Sequence, residues 1–276
     1  MKKILITGSN GQLANRFITK YQSKFDILAL NRNQLDITNN RQVNKIKMEF
    51  DPDIILNCAA FTNVDEAEKN FTLANQINSD AIKNLLENFN GLFIYISTDY
   101  VFNGENGPYT IYDTVSPINK YGLSKLNGEI LTARNSDNYI IIRANVIFDI
   151  NSKASFLSWV LDSIQSQNEI KVVNDQIGNP LSTVDLADFI FQSISNNYNG
   201  TFHVGSKDYK SRFEFAQLIA EIWRFDKNLI LPISTLELKN KVESYIAPRP
   251  LKSGLFVSQE FNAISLEESI LKIKKL

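Results

Sequence analysis

The sequence predicts an α/β protein: a doubly wound parallel sheet with a smaller C-terminal lobe. Three observations carry that prediction. Short runs that are apolar throughout, among them residues 3–7, 53–59 and 92–97, alternate with stretches of helical period, and strands without polar alternation belong to parallel sheets covered on both faces. A glycine-bearing turn, Gly8-Ser9-Asn10-Gly11, leaves the first run and opens the first helical stretch. The chain of 276 residues is 43% hydrophobic and 21% charged, which fills one large or two modest cores and excludes a mainly disordered, collagenous or coiled-coil protein.

Taken in order, residues 3–7 form the first strand, and Leu13, Phe17 and Tyr21 mark the buried stripe of the helix after it. Residues 25–30 form a second strand, 43–50 a helix, 53–59 a third strand and 64–89 one long helical region. A fourth strand at 92–97, a helix over 119–134 and a fifth strand at 139–143 complete the regular alternation. Beyond Ile150 the rhythm loosens into a helix at 155–166, a short strand at 169–173 and a polar loop at 174–182. A helix at 184–195 and a strand at 200–205 read as one more unit of the first sheet, followed by helices near 213–223 and at the C-terminus. The expected division is 1–149 plus 183–205 for the large domain and 150–182 plus 206–276 for the smaller lobe.

Twenty-nine basic residues against thirty acidic ones leave a net charge of −1, so no global field recruits nucleic acid or an anionic membrane. The lone Cys58 cannot form an internal disulfide, and with one histidine it cannot close a zinc site. A reducing cytoplasm and no bound metal are expected. The first apolar run is too short for a signal peptide, and no stretch of about eighteen apolar residues marks a membrane span. A soluble, untargeted chain is expected, and no repeat or linker-like segment interrupts it.

Chemistry enters at three places. In Gly8-Ser-Asn-Gly11-Gln12-Leu13-Ala14, glycines let the backbone approach a pyrophosphate while helix N-terminal amides and the helix dipole favour its charge. This is a Rossmann-like dinucleotide loop, and its G-x-x-G-x-x-A spacing points to the short-chain dehydrogenase branch. The second strand ends Leu30-Asn31-Arg32, without the carboxylate that would hold an NAD ribose. The Arg32 guanidinium instead suits the 2′-phosphate of NADPH, which is favoured over NADH, with Asn31 beside it among the cofactor residues; Arg32 also reads as a plain solvated loop residue.

The second place is Tyr121-Gly-Leu-Ser-Lys125, where four-residue spacing stacks phenol and ammonium on one helix face. A neighbouring cation lowers a phenol's pKa and makes Tyr121 a proton donor near neutrality. The third is Ser97-Thr98-Asp99-Tyr100 at a strand's carboxyl end, the edge where open α/β sheets bind ligands. There the Thr98 hydroxyl is a donor to a substrate carbonyl oxygen. His203 reads as a packed, hydrogen-bonded residue, and Trp159 and Trp223 as core.

The three motifs in this order resemble the extended short-chain dehydrogenase/reductase superfamily and, within it, the dTDP-4-dehydrorhamnose reductase family. The resemblance spans nearly the whole chain. It rests on 35–38 (LDIT), 57–60 (NCAA), 64–68 (VDEAE), 97–102, 117–129 (PINKYGLSKLNGE), 172–180 (VVNDQIGNP), 182–187 and Arg249-Pro250 with Ser253. It implies that Tyr121 protonates the C4 oxygen of a 4-keto-6-deoxyhexose, that Lys125 holds the nicotinamide ribose, and that Thr98 polarises the carbonyl. It further implies that Gly11, Gln12 and Leu13 line the pyrophosphate, Asp36 and Ile37 the adenine, and Ala59, Ala60, Phe61 and Thr62 the middle of the cofactor. Thr98, Asp99 and Tyr100 meet the nucleotide-sugar substrate, and Asp175 and Gln176 belong to the lobe that receives it. Arg249 reads equally as a fork for a diphosphate or as a salt bridge between lobes.

Three positions depart from the family pattern. Val146 stands where a substrate-contacting Trp is usual, Ile111 where Glu is common, and Phe256 where Asp is usual. A reductase of another nucleotide-sugar ketone therefore stays open, as does a non-catalytic NADP-binding subunit like the regulatory beta subunit of methionine adenosyltransferase. The metal-binding acidic residues that some members use in dimerisation have no counterpart here, and a homodimer remains compatible with the chain.

Overall fold

The aliphatic runs of the first half pair with one another in parallel, the inner ones burying both faces and the edge run at 26–30 only partly buried. The structure is a computed structural model and describes residues 1–241 and 245–276. Its strands and helices run β1 (Lys3–Thr7), α1 (Gln12–Tyr21), β2 (Asp26–Leu30), α2 (Asn40–Phe50), β3 (Ile54–Asn57), α3 (Val64–Lys69), α4 (Phe71–Asn75), α5 (Ala81–Leu86), β4 (Leu92–Thr98), α6 (Lys120–Asn135) and β5 (Tyr139–Ala144). The second half adds β6 (Ile147–Phe148), α7 (Phe156–Gln165), β7 (Ile170–Val173), β8 (Ile177–Gly178), β9 (Leu181–Ser182), α8 (Thr183–Ser195) and β10 (Gly200–Val204). Then follow β11 (Lys210–Ser211), α9 (Arg212–Trp223), β12 (Ile230–Ile233), α10 (Thr235–Lys241) and α11 (Leu266–Lys274).

Six strands form one parallel sheet in the order β10-β5-β4-β3-β1-β2. Alternate residues of a strand face opposite sides, and the core divides accordingly. Ile4 and Ile6 of β1 pack with Leu13 and Phe17 of α1 and Leu186 and Ile190 of α8, whereas Leu5 packs with Val43 of α2 and Ile82 and Leu85 of α5. A third core joins α7, α9 and α11 through Leu157, Val160, Phe215, Ile219, Leu266 and Ile270. The chain reverses its direction of travel across the sheet between β1 and β3, and the crevice at their carboxyl ends is where such sheets hold ligands.

The expected single helix over 64–89 is instead three short helices and a π-helical turn at Gln76–Asp80. The extra residue of a π turn re-aims a side chain, and here it turns Asn78 inward. Asn78 Oδ1 accepts from the Phe61 backbone N–H at 2.8 Å, while Nδ2 donates to the Phe61 carbonyl at 2.9 Å and to Ser124 Oγ at 2.8 Å. A regular helix would leave the loop after β3 unpinned. The expected loop at 174–182 contains β8 and β9, which pair with β11 and β6. Sequence periodicity also passes over β12 and α10; Asp175 accepts from the Thr235 backbone N–H and hydroxyl and so holds the start of α10.

Trp159 corrects another expectation, because it is 41% exposed. Leu157, Val160, Leu161 and Ile164 already fill the inward face of α7, leaving Trp159 outside it, against Phe156. Trp223 is half-buried against the third core.

Helix α6 approaches the π turn through Gly128, where an added Cβ would lie 2.2 Å from Tyr95 Oη and 2.3 Å from the Asn78 carbonyl oxygen. Tyr95 Oη donates to that same carbonyl at 2.7 Å. Gly128→Ala is expected to cost about 1–3 kcal/mol through overpacking, read as a drop of roughly 2–10 °C in Tm by circular dichroism.

Candidate active site

Glycine is required where the first strand becomes the first helix. Gly8 has φ +65°, and a Cβ there would lie 2.7 Å from the backbone nitrogen of Ala59. The two loops at the sheet's reversal point therefore touch, with no room for a side chain between them. Gly11 occupies the N-cap of α1 without a side-chain cap, which leaves first-turn amides free to meet an anion. Beside them runs a cavity of about 430 Å³ lined by Gly8, Gly11, Asn31, Arg32, Asp36, Ile37, Ala59, Ala60 and Thr62.

Nine of the predicted cofactor residues thus share one cleft. Arg32 stands exposed at it, with no ion-pair partner among the described residues. Asp36 turns its carboxylate back to the Thr38 backbone N–H and hydroxyl. Gln12, Leu13 and Phe61 do not line the cavity with side chains. Gln12 Nε2 donates to the Ile147 carbonyl at 3.1 Å, Leu13 is buried beneath the sheet, and Phe61 is the loop residue pinned by Asn78. Sequence reasoning missed Thr38, Cys58, Leu73, Gln76 and Ile77 in the lining; the last three arrive on the irregular helical stretch read as one regular helix.

At the next strand ends, Thr98, Asp99, Tyr121 and Lys125 converge. Asn119 caps α6, its Oδ1 accepting from the Gly122 backbone N–H at 2.7 Å, and Gly122 lets the helix approach Tyr100, since its Cβ would lie 2.2 Å from the Tyr100 carbonyl oxygen. That approach presents Tyr121 edge-on to Tyr100 with ring centroids 5.9 Å apart. Burial pushes the Tyr121 phenol well above its ordinary range, and Asp99 and Tyr100 add to the rise while a hydrogen bond with Thr98 opposes it. The expected lowering by Lys125 is corrected: burial governs the phenol, and Lys125 is not among the groups that shift it.

Lys125 is itself 3% exposed, with Nζ 4.1 Å from the centroid of the Tyr95 ring. Burial pulls its pKa down to about 7, against the Glu129 carboxylate one turn further along α6. Glu129 is the hub beneath the site. It accepts a bidentate pair from Arg143 at 3.0 and 2.7 Å and a hydrogen bond from Ser97 Oγ. Arg143 Nη1 lies 3.3 Å from His203 Nε2, and His203 Nδ1 lies 3.1 Å from the Tyr109 carbonyl. Arginine only donates and a carbonyl only accepts, so the neutral ring carries its proton on Nδ1.

Thr98 Oγ1 donates to Asp99 Oδ1 at 3.0 Å and accepts from the Tyr100 backbone N–H at 3.2 Å. With Asp99 ionised, the hydroxyl's one hydrogen is committed there rather than to a substrate carbonyl, a correction to Thr98 as a free donor. Burial pushes the Asp99 carboxyl up to about 6, against hydrogen bonds from Ser253 and Thr98 and the field of Arg212. Asp99, Tyr100 and Val146 line a second small cavity together with Gln176, Lys210 and Arg212. Arg249 takes the salt-bridge option: Nη2 donates to Asp65 Oδ2 at 2.9 Å and Nη1 to the Ala247 carbonyl at 2.9 Å, tying the late segment to α3.

The family profile described as the RmlD substrate binding domain matches residues 1–268. A dTDP-4-dehydrorhamnose reductase of Burkholderia thailandensis is 31% identical, over 80% of this chain and 78% of its own length. The chain belongs to the dTDP-4-dehydrorhamnose reductase family. The spore coat polysaccharide biosynthesis protein SpsK of Bacillus subtilis is 35% identical, over 92% of this chain and 89% of its own length. The crystal structure of dTDP-4-dehydrorhamnose reductase from Bacillus anthracis in complex with NADP superposes with a TM-score of 0.93 at 33% identity, covering 100% of this chain and 99% of the other.

In the small cavity beside Asp99, sequence reasoning passed over Lys210 and Arg212. They sit at the junction of β11 and α9, where neither a motif nor a charge run flags them. Sequence reasoning also assigned no role to Asn145, whose Nδ2 donates to Asp99 Oδ2 and, at 3.2 Å, to Ser253 Oγ.

His203, fully buried beside Arg143, has its pKa pulled from 6.5 to about 4, chiefly by burial and then by the guanidinium. Between those values the unfolded chain binds a proton that the folded chain refuses. Stability is therefore expected to fall as pH drops from 6.5 to 4, with His203 contributing up to about 3 kcal/mol. Urea unfolding across that range should show this slope, and His203→Gln should lack that part of it.

Proposed function

We propose that this protein reduces the 4-keto group of dTDP-4-dehydrorhamnose to give dTDP-L-rhamnose, with NADPH as hydride donor. The convergence of Thr98, Tyr121 and Lys125 on one strand edge, beside a cleft with uncapped helix amides, carries the reading. The residues fit a dinucleotide: Gly8 and Gly11 leave the backbone bare where a pyrophosphate must approach, and Arg32 offers a guanidinium at the cleft for a 2′-phosphate. When bound, NADPH supplies the hydride.

The protein's own groups handle the proton. Tyr121, held protonated by burial, donates its phenolic hydrogen to the C4 oxygen as negative charge grows there. Lys125 holds a ribose hydroxyl and, once ionised, favours the phenolate left behind. Gln12, Leu13 and Phe61 act through their backbones, and Asp36, Ile37, Ala59, Ala60 and Thr62 through the cleft wall. Asp99 and Tyr100 meet the sugar, and Arg212 and Lys210 give the small cavity a positive lining suited to a diphosphate. On this reading residues 1–149 plus 183–205 bind the cofactor and 150–182 plus 206–276 the nucleotide-sugar, in the cytoplasm where both are found. Val146 in place of the family's Trp favours including other nucleotide-linked 4-keto sugars in the same assay.

Oxidation of NADPH on addition of freshly generated dTDP-4-dehydrorhamnose tests the reaction, and silence with every keto sugar tried would sink it. Tyr121→Phe is expected to lower kcat by at least about 100-fold. Arg32→Ala is expected to reduce the preference for NADPH over NADH by about tenfold, measured as the ratio of kcat/KM for the two cofactors; an unchanged ratio would return Arg32 to the solvated loop.

A further inference from the structure

Four carboxyl groups are almost wholly buried: Asp99, Glu129, Asp149 and Asp185. Three of them touch a cation. Glu129 pairs with Arg143 at 2.7 Å, Asp149 with Arg16 at 2.9 Å and Asp185 with Lys272 at 2.8 Å. Asp99, 2% exposed, has no cation within ion-pair distance among the described residues. Burying an unpaired carboxylate is costly, and such a group relieves the cost by keeping its proton.

We propose that Asp99 acts as an uncharged acid that turns the hydroxyl of Thr98 toward the reacting oxygen, making Asp99 a positioning residue for the reduction. The inference rests on the reductase reading above. With Asp99 ionised, Thr98 Oγ1 spends its hydrogen on Asp99 Oδ1 and faces Tyr121 and the substrate with lone pairs only. With Asp99 protonated, the bond reverses: the carboxyl O–H donates to Thr98 Oγ1, and the threonine hydrogen is released toward the carbonyl oxygen. Asn145 Nδ2 holds the other carboxyl oxygen, Oδ2, in either state, with Ser253 beside the group. Asp99 keeps its proton throughout turnover, and the proton delivered to the product is that of Tyr121.

The groups facing Asp99 are few. Arg212 of α9 approaches from the substrate side and favours the ionised form; Tyr121 of α6 and Tyr100 of its own turn are neutral phenols. Lys210 of β11 shares the cavity, and Arg249 acts on Tyr100 behind it. Burial prevails over these cations and places the titration at about 6. The acid form is present below that value and lost as pH rises through it, so the productive orientation of Thr98 declines toward alkaline pH.

Two measurements test this. In ligand-free protein, infrared difference spectra of wild type against Asp99→Asn should reveal a protonated-carboxyl band that fades as pH rises through neutrality and shifts in Thr98→Val. Absence of the band at acid pH, or a band indifferent to Thr98→Val, overturns the proposal whether or not the protein turns over a sugar. In the assay, kcat/KM should fall about tenfold per pH unit above the titration. Asp99→Asn, whose amide presents a permanent donor to Thr98, should lose the part of that limb that begins near 6 and keep only the fall set by Lys125 above about 7, whatever its absolute rate. A limb that still begins near 6 in Asp99→Asn overturns the proposal. A band behaving as expected in a protein that reduces no keto sugar overturns the reductase reading and supports the acid form of Asp99.

Discussion

The active edge of this protein hangs on the buried ion pair between Glu129 and Arg143. Glu129 lies on α6, Arg143 on β5, Ser97 on β4 and His203 on β10, and all four side chains meet in one hydrogen-bonded cluster. Burying such charges is expensive, and a buried pair is weak evidence for net stability. Its value here is geometric. The bidentate fork fixes α6 along its axis against the strands, which sets the height of Tyr121 and Lys125 above the strand ends. Removing either partner would strand a buried charge, so the cluster tolerates no half-measures.

That arrangement also separates the roles of the acidic residues. Where a carboxylate must stay ionised to hold the frame, the fold gives it a cation in contact: Arg143 for Glu129, Arg16 for Asp149, Lys272 for Asp185. Lys125, by contrast, faces Glu129 only across a helical turn and lies over the Tyr95 ring, so burial draws its pKa toward neutrality. Tyr121 keeps its proton through desolvation, with the charge of Asp99 adding to that hold. Low dielectric around these buried groups makes each of these balances steep.

Much of this was legible in the sequence because it is local. Apolar runs gave the six-stranded sheet, and the spacing of Gly8, Gly11 and Ala14 marked the turn at which Gly8 adopts a left-handed backbone. Tyr121 and Lys125 are neighbours by helical geometry alone. What escaped depends on contacts between distant segments. The π turn that inverts Asn78 has no period of its own, and the pairing of Asp99 with Asn145 and Ser253 joins residues 46 positions apart and, through Asn145, a further 108. Burial likewise reversed the pKa argument for Tyr121, since spacing reveals a neighbouring cation but not the water removed from around the phenol. Trp159 failed for the opposite reason: its type suggested core, but its position on α7 faces away from the filled stripe.

Position 146 illustrates how frame and side chain separate. Its φ of +41° is an unfavourable conformation for a β-branched residue, and such strain persists only where surrounding structure over-determines it. Here the restraints are visible on both sides. The Leu181 backbone N–H donates to the Val146 carbonyl at 3.2 Å, Ile147 pairs with Leu181 in the β6–β9 ladder, and Gln12 Nε2 reaches the Ile147 carbonyl. The turn after β5 is therefore held by Gln12 of α1 and by β9 rather than by the residue that occupies it. Val146 is thus held in a backbone conformation that it does not itself favour, at the wall of the cavity beside Asp99. Among the polar groups that line the cavity beside Val146 are Gln176, Lys210 and Arg212, brought there by the segments around β8 and β11.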